Sequence, residues 1–357
     1  MFHRIKKFFG KIFGKKEKTF VDTPVLSVDI DNTLVMKNKK INLVDKFDRE
    51  ALEKFIDAGG VVCINSNCPH KTCVKIAKSA GIKSGYISSN NGSLVTKFGK
   101  MFGTKNHISI KKTALDRETI NSVIMALREN VPDAVVALST DNKKYYVNKR
   151  GIETTIMKIS QLAKIRNGYS FSNDEKLFED MKGSARMLQI IPMPKFAILK
   201  KEGKKAYKEA QKNIMKKVVK TLEGVKNSEK ADSIPFGYSI NTAGVQIFNP
   251  EASKSKAIEI VVDDLAEQNR KVKPNRVFAV GDGYGDLESV SALKDNPLKQ
   301  FYLMDTAKDD VKLKAKKIAS QIAKNSGEKE SQFKIVKSVE DTINDIRSKS
   351  ELNEMEK

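Results

Sequence analysis

Residues 25–35 read VLSVDIDNTLV. Val25, Leu26, Val28 and Ile30 make a short apolar run of the kind that lies inside a sheet. Two acids, Asp29 and Asp31, stand at its far end. A charge in a sheet interior is costly unless it is paired, so the two carboxylates belong at the mouth of a strand with something cationic facing them. Two other runs end the same way: GGVVCINS (59–66) stops at Ser66, and NRVFAVGDGYGD (275–286) stops at Asp282 and Asp286. Helical patterns separate these runs, DREALEKFIDAGG before the second and SKSKAIEIVVDDL (253–265) before the third. GYISSNNG (85–92), QFYLMD (300–305) and FKIVKS (333–338) read as further strands. The alternation predicts an α/β fold, a doubly wound parallel sheet, whose ligands bind outside the carboxyl ends of the strands. Asp29, Asp31, Ser66, Asp282 and Asp286 are then expected to converge on one cleft. Lys254 opens a helix, where the helix dipole disfavours a cation, and a nearby carboxylate or phosphate would account for it.

With 357 residues the chain has room for two domains. No apolar run approaches the roughly 20 residues of a spanning helix, and no secretory signal is evident. Three cysteines give no disulfide framework and suggest a reducing compartment, so the expected location is the cytoplasm, with peripheral attachment to a membrane surface as an added option. The net charge of +22 is unevenly spread. Residues 1–20 hold seven Lys/Arg against one Glu, and residues 94–249 hold 29 Lys/Arg against 15 Asp/Glu. Such fields attract anions; lysines that serve solubility alone are the bland reading.

In order along the chain, these signals resemble the haloacid dehalogenase (HAD) superfamily of phosphotransferases, in its Cof-type branch. Asp29-Ile30-Asp31-Asn32-Thr33 is similar to its DxDxT motif, Ser66 to the strand-ending Ser/Thr, Lys254 to the conserved lysine, and Gly281-Asp282-Gly283-Tyr284-Gly285-Asp286 to GDxxxD. NNGS (90–93) resembles the NGA that leads into the cap of that branch, and Met304-Asp305-Thr306-Ala307 its later M-x-N-A. The resemblance implies a Mg²⁺-dependent phosphohydrolase with Asp29 as nucleophile, Asp31 as general acid/base, Ser66 on the phosphoryl oxygens and Lys254 holding the nucleophile. Mg²⁺ would be held by Asp29, the backbone carbonyl of Asp31, Asp282 and Asp286. Thr33, Ser66, Asn67, Asn91 and Lys254 would meet the substrate, a sugar phosphate or similar small monoester. Three departures stand out: Asn32 in place of Gly, Cys68 where the branch carries Arg, and Gly285 in place of Asn. A phosphomutase would use the same core. The reading from another class is an inactive HAD scaffold that binds membrane or nucleic acid through its charge; no RNA-binding aromatic motif accompanies that charge, so nucleic acid is not an expected partner.

The resemblance divides the chain into a basic amphipathic segment (1–20), a core (21–93 and 250–345), an inserted α/β cap (94–249) and a polar C-terminal tail (346–357). The insertion mixes strand patterns, HISIKK, DAVVALS, KKYYVN, RMLQIIP and GVQIF, with helical ones at 116–130 and 204–224. Phe2, Ile5, Phe9, Ile12 and Phe13 share one helical face in 1–20, flanked by Arg4, Lys7, Lys11 and Lys15, a pattern that suits an anionic membrane or a docking surface. Cys68, His70 and Cys73 lack metal-site spacing, an oxidisable thiol at Cys68 is the minor reading of that residue, and His3 and His107 are expected to be solvated.

Overall fold

The computed structural model describes residues 21–36, 44–141, 144–147, 182–227, 236–241, 244–291, 300–326 and 333–349. The basic segment 1–20 lies outside them. In chain order the first part holds β1 (Val21–Asp22), β2 (Val25–Val28), α1 (Lys46–Asp57), β3 (Val61–Asn65), α2 (His70–Ser79), β4 (Gly85–Ser89), β5 (Leu94–Gly99) and β6 (Thr104–Lys112). Then come α3 (Arg117–Asn130), β7 (Ala134–Ser139), β8 (Lys144–Val147), β9 (Met187–Pro192), α4 (Phe196–Lys226), β10 (Gly237–Asn241) and β11 (Gly244–Phe248). The chain returns through α5 (Lys254–Glu267), β12 (Arg270–Lys271), β13 (Val277–Gly281), α6 (Tyr284–Leu287), β14 (Gln300–Met304), α7 (Asp309–Ser326), β15 (Phe333–Val336) and α8 (Val339–Lys349).

Eight strands form the core sheet in the order β15-β14-β13-β2-β3-β4-β5-β6. The six from β15 to β4 run parallel, and β5 and β6 extend the sheet antiparallel. Strand residues alternate between two buried faces, as a period of two requires. Leu26, Val28, Val62, Ile64, Phe278, Val280, Tyr302 and Met304 pack with Leu52 and Phe55 of α1, Ile76 of α2 and Ile343 of α8. Val25, Val61, Cys63, Val277, Ala279, Phe301 and Leu303 pack with Ile258 and Val261 of α5 and Val311 and Ala315 of α7. Leu26 is fully buried, so Leu26→Ala is worth about 2–5 kcal/mol of stability. The chain leaves β2 toward β3 on one side and comes back to β13 on the other. That reversal makes the carboxyl end of β2 the switch point where a crevice opens.

Three helices begin at a side-chain cap. Asp45 accepts from the Phe47 N–H, Asp116 from Thr119 and Ser253 from Lys256. The helical pattern expected over 204–224 lies inside α4, and Gly203 breaks that helix with φ 83°, so the regular run does begin at Lys204.

A second, antiparallel sheet has the order β10-β11-β9-β7-β8. One face packs Val136, Leu188, Ile190, Val245 and Ile247 against Leu127 of α3 and Val218 and Leu222 of α4. Two expected boundaries are corrected. The inserted unit does not start at residue 94, because β5 and β6, with HISIKK in β6, belong to the core sheet; apolar alternation alone does not say which sheet a strand joins. The polar tail does not start at 346 either: α8 runs to Lys349 and Ile346 is buried in the core. The expected solvated His107 is also wrong, since its ring stacks on Phe98 at 4.6 Å and meets His70 edge-on at 5.2 Å. β10 was not foreseen, as GYSIN carries little apolar signal. Among the described residues, no helix is long and apolar enough to cross a membrane.

Candidate active site

Four chain segments meet at the carboxyl end of β2. Asp29 follows the strand directly, and its N–H donates to the Val280 carbonyl of β13 at 3.0 Å. Ile30, Leu34 and Val35 anchor the turn beyond it in the core. Val35 N–H closes the turn on the Ile30 carbonyl at 2.9 Å, which leaves Asp31 exposed at the rim. Ser66 directly follows β3, buried, its hydroxyl accepting the Cys68 N–H at 3.1 Å. Lys254 opens α5 and is buried, and its ammonium donates to Asp29 Oδ1 at 2.6 Å and to Asp286 Oδ1 at 2.5 Å. Asn65 locks that helix start by donating to the Lys254 carbonyl at 2.8 Å and to the Ser27 hydroxyl at 3.2 Å.

Glycines make the approach possible at two places. A Cβ on Gly281 would lie 2.2 Å from the Asp286 carboxyl carbon, so only glycine lets Asp286 fold back beneath β13. Asp286 Oδ2 then accepts the Gly283 N–H at 2.9 Å. Gly92, with φ +85°, lies so near the cap of α5 that a Cβ would sit 2.2 Å from the Ser253 carbonyl. The NNG turn therefore braces the helix that carries Lys254.

Carboxylate oxygens of Asp29, Asp282 and Asp286 all lie within 4.8 Å of one another. Burial pushes the Asp29 carboxyl well above the usual carboxylate range, with Asp286 adding to it and Lys254 opposing. Burial works against the Lys254 charge, but the Asp286 and Asp29 carboxylates outweigh it and hold the ammonium above its ordinary pKa. Three acids on one lysine leave the cluster short of positive charge. The donors are all hard oxygens, which suits Mg²⁺ and not a soft metal.

The remaining expected residues divide. Asn67 donates to Gln246 Oε1 of β11 at 2.6 Å, a bond from the core to the second sheet. Thr33 is fully buried and its hydroxyl has no partner among the described residues. Asn91 is buried in a left-handed turn with its N–H on the Ser66 carbonyl at 3.2 Å. It is Asn90, which the sequence did not single out, whose side chain bonds across the turn, accepting from Ser139 at 2.6 Å and donating to the Thr140 carbonyl at 3.3 Å. The Cys68 thiol lies 3.8 Å from Asp31 Oδ2, and the Asn32 amide donates to Asp282 Oδ2 at 2.6 Å. Neither contact is visible in the sequence, because each joins residues whose placement depends on the strand order.

Residues 26–327 match the family of haloacid dehalogenase-like hydrolases, and the chain belongs to that family. The chain is therefore an enzyme of the haloacid dehalogenase-like hydrolase type. Solved structures with the same fold include a haloacid dehalogenase-like hydrolase from Bacteroides thetaiotaomicron, 14% identical with a TM-score of 0.61 over 91% of this chain and 100% of that one. A HAD subclass IIB sugar phosphatase matches at 13% identity and a TM-score of 0.58 over 91% and 98% of the two chains. A Thermotoga maritima protein matches at 14% and 0.59 over 91% and 97%. Comparison with curated proteins by sequence gave no match.

Proposed function

We propose that this chain is a Mg²⁺-dependent phosphohydrolase that cleaves a small phosphate monoester, a sugar phosphate or similar, through an aspartyl-phosphate. The observation that carries the reading is the buried Lys254 held between Asp29 and Asp286 at the mouth of the central strand. A lysine there favours the ionised form of the nucleophile against the burial that disfavours it, and its charge favours an incoming phosphoryl group. Asp29 attacks phosphorus as the ester P–O bond breaks, and Asp31, exposed at the rim, gives its proton to the leaving oxygen. Asp31, now a carboxylate, takes a proton from water, whose oxygen attacks the phosphorus and releases phosphate with Asp29 restored. Ser66 orients the phosphoryl oxygens. Asp29, Asp282 and the backbone carbonyl of Asp31 would hold Mg²⁺, with Asp286 engaged mainly as the anchor of Lys254. The ion would neutralise phosphate charge during transfer.

The second sheet, joined to the core through Asn67 and Gln246, would act as the cap that selects the substrate and excludes water. The stretch beyond β6, residues 113–249, holds 24 Lys/Arg against 15 Asp/Glu, which suits an anionic ligand. The test is phosphate release from p-nitrophenyl phosphate and a panel of phosphorylated metabolites, with Mg²⁺ and with EDTA, and with Asp29→Asn alongside. Metal-dependent turnover that vanishes in the variant supports the reading. Folded, metal-replete protein that turns over no panel member moves the function to binding.

A further inference from the structure

Asn32 is one of four residues other than glycine with positive φ among the described residues, at 55°. Its backbone is tied from two sides: the N–H donates to the Val35 carbonyl at 2.9 Å, and the carbonyl accepts the Thr306 hydroxyl at 3.3 Å. Asparagine tolerates this left-handed region better than other side chains, yet glycine would occupy it at less cost. Conformation therefore does not ask for the amide. The amide instead reaches 250 positions along the chain to Asp282 Oδ2 at 2.6 Å. Asp282 is one of the three acids whose oxygens cluster within 4.8 Å.

We propose that Asn32 is a positioning residue that acts through Asp282, fixing the rotation of its carboxylate so that the cluster is preorganised for a divalent cation. The proposal rests on the metal-dependent reading above. A carboxylate at a loop start can rotate about its last side-chain bond, and each rotation lost before binding need not be lost during it. A second hydrogen-bonding partner on a metal-binding carboxylate has this effect in general, and removing one typically weakens metal affinity by about 10–100-fold. Asn32 also joins the loop after β2 to the loop after β13, so it sets the spacing between the nucleophile's segment and the acid's segment.

Asn32→Gly isolates the amide, since it keeps the left-handed backbone without strain. Mg²⁺ binding to substrate-free wild type and variant would be measured by calorimetry, with melting of the metal-free proteins beside it. The expected result is a dissociation constant raised about tenfold or more and little change in metal-free melting. Asn32→Gly that binds Mg²⁺ as tightly as wild type, or more tightly, overturns the proposal. A variant whose metal-free melting falls while its Mg²⁺ affinity is unchanged also overturns it, because Asn32 is then a structural brace. Wild type that binds no Mg²⁺ overturns the metal reading itself and this proposal with it, a distinct result visible before any variant is made.

Discussion

Lys254 shows at the scale of one residue how the chain solves the cost of buried acids. Asp29 and Asp286 would repel each other in a low-dielectric pocket, and the ammonium between them turns that repulsion into two short bonds. Lys254→Met should therefore lose activity and also about 3–5 kcal/mol of stability in metal-free protein, because both carboxylates are left uncompensated. Added Mg²⁺ should recover part of the melting temperature, since a cation at the cluster replaces the missing charge; a variant melting like wild type without metal would count against this picture. Asp29, Asp31, Ser66, Lys254 and Asp282 could be picked out from the sequence because each ends or begins an element with a clear apolar pattern. The contacts of Asn32, Asn67 and Asn90 could not. They are short polar side chains in loops, and their partners lie 250, 179 and 49 positions away, distances over which periodicity carries no information.

Among elements, the two helices packed on the same face of the core sheet give opposite responses to pH. Asp48 of α1 is buried and accepts the Glu340 N–H at the start of α8 at 2.9 Å. Burial raises its carboxyl from 3.8 to about 6. Between those values the folded protein keeps a proton that the unfolded chain has lost, so stability falls as pH rises from about 4 to about 6. The loss is about 2–3 kcal/mol, and Asp48→Asn should remove it from a series of denaturant melts across that window. His70 at the head of α2 goes the other way. Burial, followed by the neighbouring His107, lowers it from 6.5 to about 4, so stability is kept above about 6.5 and lost as pH falls toward 4. His70→Asn should flatten that acid limb. The windows overlap, so wild type alone will show a muted slope and the single variants will separate the two effects. The elements themselves were mostly legible, because the parallel strands are near-continuous apolar runs. β5 and β6 were assigned to the wrong unit because an antiparallel strand reads alike in either sheet.

For the whole molecule, charge is the dominant feature. α4 alone carries ten lysines and three glutamates along its 31 residues, part of a basic balance that, outside residues 1–20, the remainder of the chain lacks. An anionic substrate approaching through this field should have a kcat/KM that falls as ionic strength rises from about 20 to 300 mM, with kcat little changed, because salt screens encounter and not the chemical step. Equal loss of both would point to salt acting on the site. The bond between Asn67 and Gln246 is the other long-range element. Asn67→Ala and Gln246→Ala should be less than additive in kcat/KM, with a coupling of about 1 kcal/mol if the two amides act as one contact.

The two crossings between core and second sheet lie side by side: Asn249, on the way back, donates to the carbonyl of Ala114, on the way out, at 2.9 Å. Among the described residues, the core sheet is completed by strands on either side of that doorway and takes none from beyond it. The roughly 135 intervening residues thus form a cassette plugged into a closed frame by two adjacent wires. Under the cap role proposed above, such a frame exchanges its cassette without rebuilding its catalytic floor, and one contiguous stretch of gene carries the selectivity.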